Sequence, residues 1–329
     1  MSAPILALDD VSREFTRKAD YAEKLADLIL RREGPSRVRA VDHVTLSVAR
    51  GEVLGIVGES GCGKSTLARM IAGILPPTAG TVTVNGADLA NAPERERRAA
   101  SLAVQMVFQD PMASLNPRSR VLDIIGEAPV AHGIIKPADK ESHVVTLLER
   151  VGLDPQSRRL YPHQFSGGQR ARIAIARALA VSPAILVCDE STAALDVSIQ
   201  AQILNLFMKL KAEMGLTYVF VSHDLGVVEH ISDRIAVMYL GRVVELAQTE
   251  AIFAEPKHPY TRALLDEVPR LEPRKRRFTA VKGEMPSPLA PPPGCHFHPR
   301  CPIAAPRCST ERPALRTVGA DRLAACHFA

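Results

Sequence analysis

The 329-residue chain has no tryptophan, and aromatic residues make up only 4% of it. Surfaces that bind single-stranded nucleic acid stack bases on exposed rings, so this scarcity argues against such a platform, and no direct nucleic-acid contact is expected. No apolar run approaches the ~18 residues a membrane-spanning helix needs. Contact with a bilayer is therefore expected to be peripheral or through partner subunits. The amino terminus, Met1 to Asp10, lacks the basic-then-apolar layout of a secretory signal. There is no internal repeat, and the formal net charge of +5 is modest for this length. Basic residues crowd at Arg270, Arg274, Lys275, Arg276, Arg277 and Lys282 against Glu272 alone. Without interleaved aromatics, that run reads as a solvated linker.

Hydrophobic residues make up 46% of the chain, enough for one large core with an appendage. Composition divides it into a large body over 1–255, a Pro- and Arg-rich connector over 256–293 and a cysteine-bearing tail over 294–329. Within the body, residues 17–36 form an insertion whose Asp20 to Arg32 stretch has helical apolar spacing. Short apolar runs at 81–84, 103–108, 184–188, 218–221 and 235–239 alternate with helical segments, the pattern of an α/β domain. From about 110 to 182 the pattern is mostly helical, which predicts a helical subdomain inserted into the sheet-bearing core.

Gly58, Glu59, Ser60, Gly61, Cys62, Gly63, Lys64, Ser65 and Thr66 fit the pattern G-x-x-x-x-G-K-[ST]. A short apolar strand, 51–58, precedes it and a helical pattern, 64–74, follows. Glycines let the backbone approach phosphate oxygens with successive N–H groups, aided by the positive helix N-terminus. Lys64 is placed to reach the β- and γ-phosphates and Ser65 to ligate Mg²⁺. One such motif means one nucleotide site. The apolar run 184–188 ends in Asp189, a carboxylate suited to organising Mg²⁺. Glu190, one residue further, can orient or deprotonate a water attacking the γ-phosphate; adjacent acids after a strand can also simply cap a helix. Ser166-Gly-Gly-Gln169 opens a second helix and makes another N-terminus suited to anions.

In this order the motifs resemble those of the ATP-binding-cassette ATPases over residues 5–255. The resemblance implies a P-loop NTPase (RecA-like) α/β fold with an inserted helical subdomain, here followed by a small Cys-rich extension. It implies a glutamine loop at Gln109, a signature at Ser166, Gly167, Gly168 and Gln169, an Asp loop at Asp196 and a switch histidine at His223. Two cassettes would pack head to tail, so that the signature of one binds ATP held on the phosphate loop of the other. Glu190 and His223 would then be catalytic, Ser65, Gln109 and Asp189 would serve Mg²⁺, and Asp196 would carry communication across the dimer. Ser191 stands where the family commonly has Pro, and Phe165 where Leu is usual; neither replaces a charge-handling group. Phe15 is the expected adenine-stacking ring, with Tyr21 the alternative.

The tail groups four of the six cysteines, Cys295, Cys301, Cys308 and Cys326, with His296, His298 and His327 nearby. Stable disulfides are unusual beside a cytosolic nucleotide site, so the four thiols point to metal, and four thiolates suit either Zn²⁺ or a [4Fe-4S] cluster. Glu284-Met-Pro-Ser-Pro288 followed by Gly-Cys-x-Phe-x-x-Arg-Cys-Pro resembles the tail of dipeptide/oligopeptide-importer ATPases. That resemblance favours [4Fe-4S] on Cys295, Cys301, Cys308 and Cys326. It also implies a docking groove for a membrane partner at 110–117. The expected partners are a second, non-identical ATPase subunit, two integral membrane permease subunits and an extracytoplasmic substrate-binding protein. The expected location is the cytoplasmic face of the inner membrane. Nickel or another small solute remains an alternative cargo, and a soluble cassette acting on nucleic acid or translation an alternative class. The latter predicts tandem cassettes or a long coiled-coil insertion, and the sequence has neither.

Overall fold

A computed structural model describes residues 3–16, 37–110, 114–193, 195–267 and 283–329. The helix expected at 20–32, the alternative ring Tyr21 and the basic run 270–282 lie outside the described residues. β1 (Leu6–Thr16), β2 (Arg37–Val48) and β3 (Val53–Val57) lead into α1 (Lys64–Ile71). β4 (Ala79–Val84), β5 (Ala87–Asp88), α2 (Glu94–Ala103) and β6 (Val104–Val107) follow. Three helices, α3 (Val121–Ala131), α4 (Lys140–Arg150) and α5 (Gly167–Leu179), precede β7 (Ile185–Asp189). Next come α6 (Val197–Met214), β8 (Thr217–Val221), α7 (Leu225–Ile231), β9 (Arg234–Tyr239), β10 (Arg242–Gln248), α8 (Thr249–Ala254) and α9 (Pro259–Asp266). The tail contributes α10 (Pro306–Thr310), β11 (Arg316–Gly319) and β12 (Arg322–Ala324).

The central sheet runs β11-β12-β10-β9-β3-β8-β7-β6, parallel from β9 to β6 and antiparallel from β9 through the tail strands. β3, β7 and β8 are buried at every residue, as parallel strands covered on both faces must be. Their side chains alternate between two cores. Val53 and Val57, Leu186 and Cys188, Tyr218 and Phe220 face the helical side with α3 to α6. Leu54 and Ile56, Ile185 and Val187, Val219 and Val221 face α1 and a second, antiparallel sheet ordered β2-β1-β4-β5. β2 is buried at alternate residues over its second half, because only one of its faces meets that core.

The expected strands form, with ends shifted by a residue or two, but 81–84 belongs to the antiparallel sheet. The helix expected over 64–74 stops at Ile71, because Gly73 takes a left-handed φ of 70° just after the Ala72 cap.

The tail is stitched to the body. β12 pairs antiparallel with β10, Glu245 opposite Ala324. The fully buried Glu245 carboxylate accepts from Arg322 at 2.9 Å and from the backbone N–H groups of Lys257 and His258 at 2.8 and 2.9 Å. Connector and tail therefore meet on one neutralised carboxylate, the condition for burying it.

Candidate active site

The turn from β3 to α1 depends on glycine at two places. Gly58 and Gly63 sit at φ 152° and 108°, and a Cβ there would collide with the Met238 and Ala40 carbonyl oxygens respectively. Lys64 is buried, and its Nζ donates to the carbonyls of Gly58 at 2.8 Å and Glu59 at 2.9 Å. Arg39, Ser60, Lys64, Thr66, Gln109 and Glu190 are among the residues lining the cleft beside this loop. Cys62 faces the core, and burial pushes its thiol up, with Lys64 opposing.

Ser65 Oγ donates to Asp189 Oδ1 at 2.8 Å, which sets a hydroxyl beside a carboxylate, the oxygen donors a hard divalent cation takes. Burial pushes the Asp189 carboxyl up; the Ser65 bond works against that and the neighbouring Glu190 charge adds to it. Such a site gains when a cation replaces the missing solvation.

Glu190 carries the chemistry furthest. It stands at φ 47°, its N–H donating to the Val221 carbonyl at 3.0 Å. Its carboxylate accepts from Gln109 Nε2 at 2.8 Å and lies 3.3 Å from His223 Nδ1. The sheet thus brings together the ends of β6, β7 and β8, spaced over 114 positions (223 − 109), at the rim of the loop cleft. Gln109 meets Glu190 here rather than the Ser65–Asp189 pair expected for Mg²⁺.

The signature lies elsewhere. Ser166 caps α5, accepting from the Gln169 N–H at 3.3 Å while its own N–H donates to Gln169 Oε1 at 3.0 Å. Gly168 packs so closely on Ile199 of α6 that a Cβ would meet that side chain at 2.6 Å. The N-termini of α5 and α6 therefore share one face, which also holds exposed Asp196 and Val197, the latter 82% exposed. None of Ser166, Gly167, Gly168 and Gln169 lines the loop cleft. Phe15 does not line it either. The ring is 40% exposed under the Arg13 guanidinium, on β1 opposite Val38, which does line the cleft.

The four tail thiols are free of disulfides and line one small cavity with Phe297, His298 and His327. Backbone N–H groups two residues on point at three of the sulfurs. Phe328 N–H reaches Cys326 Sγ at 3.4 Å, and those of Phe297 and Ile303 oppose the burial that pushes the Cys295 and Cys301 thiols up. N–H donors aimed at sulfur suit thiolates that hold a metal group. Among the described residues, no three His, Cys, Asp or Glu side chains converge on a point where a single metal ion would sit.

Sequence reasoning missed the contacts that the connector and tail make with the phosphate loop. Tyr260 Oη accepts from the Glu59 N–H at 2.8 Å, and Arg300 pairs with the Glu59 carboxylate. No spacing rule links positions so far apart.

Comparison with known proteins agrees with the motif order. Residues 41–193 match the family described as ABC transporter, and 244–308 the oligopeptide/dipeptide transporter, C-terminal region. The oligopeptide transport ATP-binding protein AppF of Bacillus subtilis is 47% identical over 98% of this chain and 97% of its own. The di/tripeptide transport ATP-binding protein DppF of Pseudomonas aeruginosa is 46% identical over 97% of each. Among solved structures, cbiO1 of Clostridium perfringens, part of a transporter complex, superposes with a TM-score of 0.62. It is 27% identical and covers 77% of this chain and 92% of that one. A dimeric cassette in a post-hydrolysis state with ADP and Pi also superposes at 0.62, with 29% identity over 74% of this chain and 98% of that one.

Proposed function

The chain belongs to the ATP-binding-cassette transporter family as an ATPase with the P-loop cassette fold, and we propose that it energises an importer of dipeptides or oligopeptides. The observation that carries the hydrolytic part is the Glu190 carboxylate, held between Gln109 and His223 beside the phosphate loop. Lys64 and the loop N–H groups bind the β- and γ-phosphates. Ser65 and Asp189 would hold Mg²⁺, which would supply charge neutralisation at those phosphates. Glu190 orients the attacking water and accepts its proton, while His223 contacts the γ-phosphate and keeps Glu190 in place. Gln109 senses the state of this group and passes it to the helical subdomain; of the segment 110–117 expected to dock a permease, residues 111–113 lie outside the described residues.

The exposed face at Ser166 to Gln169 and Asp196 serves a second cassette, non-identical to this one, whose nucleotide it completes. Two membrane permease subunits and an extracytoplasmic substrate-binding protein make up the rest, with the ATPases on the cytoplasmic face of the inner membrane. The peptide assignment leans on the 244–308 match and on what the relatives are called. Nickel or another small solute is the competing cargo. Uptake of labelled di- and oligopeptides by the assembled transporter tests it, and transport of nickel but no peptide would overturn it. Glu190→Gln is expected to retain ATP binding while turnover in the assembled complex falls by ~10²-fold or more; turnover near wild type would remove Glu190 from its role.

For the tail, a [4Fe-4S] cluster on Cys295, Cys301, Cys308 and Cys326 is favoured over zinc. What supports a metal group there is that the four thiols line one cavity, with backbone N–H groups directed at sulfur. Anaerobic purification should yield iron and acid-labile sulfide with the cluster's visible absorbance. Stoichiometric zinc without iron would reverse the choice.

A further inference from the structure

Glu59 is the first variable residue of the phosphate loop, and nothing in binding an anionic phosphate calls for a carboxylate there. A bare carboxylate at that position would repel the nucleotide. Its partner comes from the tail. Arg300 Nη1 lies 3.0 Å and 3.1 Å from the two Glu59 oxygens and 3.4 Å from the Tyr239 hydroxyl. The Arg300 side chain is 6% exposed, its guanidinium 5.9 Å from the ring centroids of both Tyr239 and Phe297. The main chain of Glu59 is held as well, through its N–H to Tyr260 Oη at 2.8 Å. Tyr239, Tyr260 and Phe297 pack on one another with centroids 4.6 to 5.4 Å apart. Phe297 also lines the thiol cavity, and Arg300 is bonded directly to Cys301. Loop, aromatic trio and thiol cavity thus form one packed series.

We propose that Arg300 is a positioning residue for the ATP site: by holding and neutralising Glu59 it fixes the first turn of the phosphate loop, and the tail thereby sets the affinity for ATP. The proposal rests on the loop being the ATP site. Both side chains are more buried than exposed, so loss of Arg300 leaves the Glu59 carboxylate without its counter-ion. An arginine that merely glued the tail to the body would matter equally with or without the Glu59 charge.

The test is a double-mutant cycle in the full-length chain, reading ATP affinity by calorimetry and KM and kcat in the assembled transporter. Arg300→Ala is expected to weaken ATP binding about fivefold and raise KM in step, with kcat at saturating ATP little changed. In a Glu59→Gln background the same substitution should alter affinity less than twofold. Equal effects in both backgrounds, or none in either, overturn the proposal while leaving the ATPase assignment intact. A wild-type chain that does not bind ATP overturns both. If Arg300→Ala does not fold, the pair is read from the loop side. Glu59→Arg faces one cation with another and should weaken binding, and adding Arg300→Glu should restore it; no restoration sinks the idea.

Discussion

Glu190 occupies a left-handed backbone conformation, φ 47°, that a non-glycine residue enters at a cost of ~1–2 kcal/mol. The Val221 carbonyl, Gln109 and His223 hold it there. Stability and turnover therefore pull in opposite directions at this residue. Glu190→Gly should raise the melting temperature, by up to ~1 kcal/mol of stability, while abolishing ATP hydrolysis; calorimetry with an ATPase assay checks both. Gly63 shows the converse. Gly63→Ala adds a methyl group against the Ala40 carbonyl at φ 108°, so ATP binding should be lost and the unfolding midpoint should fall.

The phosphate loop, the acidic strand and the capped start of α5 were legible in the sequence because each lies within a few consecutive residues of one element. β1 and β2 do not stand out as strands in the sequence. β2 carries Arg37, Arg39 and His43 on its solvent face, and its partner β1 lies across the 17–36 insertion. β12, with Arg322 and Leu323 ahead of Ala324, is too short for a pattern, and its register comes from burying Arg322 on Glu245. The Arg300–Glu59 contact spans 241 positions and follows from tertiary packing alone. At the start of α9, His258 caps the helix, its Nδ1 accepting from the Tyr260 N–H at 3.1 Å. Burial pushes this imidazole from 6.5 down to about 4. Above pH 6.5 it is neutral folded or unfolded, and its contribution is intact. Between 6.5 and about 4 the unfolded chain takes up a proton that the folded chain refuses, and roughly 3 kcal/mol of stability is lost. Melting curves across that window should flatten in His258→Asn, which keeps a capping oxygen without the titration.

At the scale of the whole molecule, the last 36 residues (294–329) complete the sheet. They cover the β10 edge, supply the counter-ion of a fully buried glutamate and reach the nucleotide loop. Removing 294–329 should uncover a strand edge and leave Glu245 uncompensated, at a cost of ~3–5 kcal/mol, with aggregation visible by light scattering. Truncated protein that stays monodisperse and melts with the full chain would contradict this. Cys62 and Cys188 have a further consequence. Both are buried in the body, with their thiols pushed up by that burial. An alkylating reagent is kept from both by burial, while Cys295 and Cys301, whose thiols are also pushed up, are only half-buried and can be reached. A mass-tag count after brief alkylation therefore reports on Cys295 and Cys301, and gives a chemical gauge of whether these two tail cysteines are occupied.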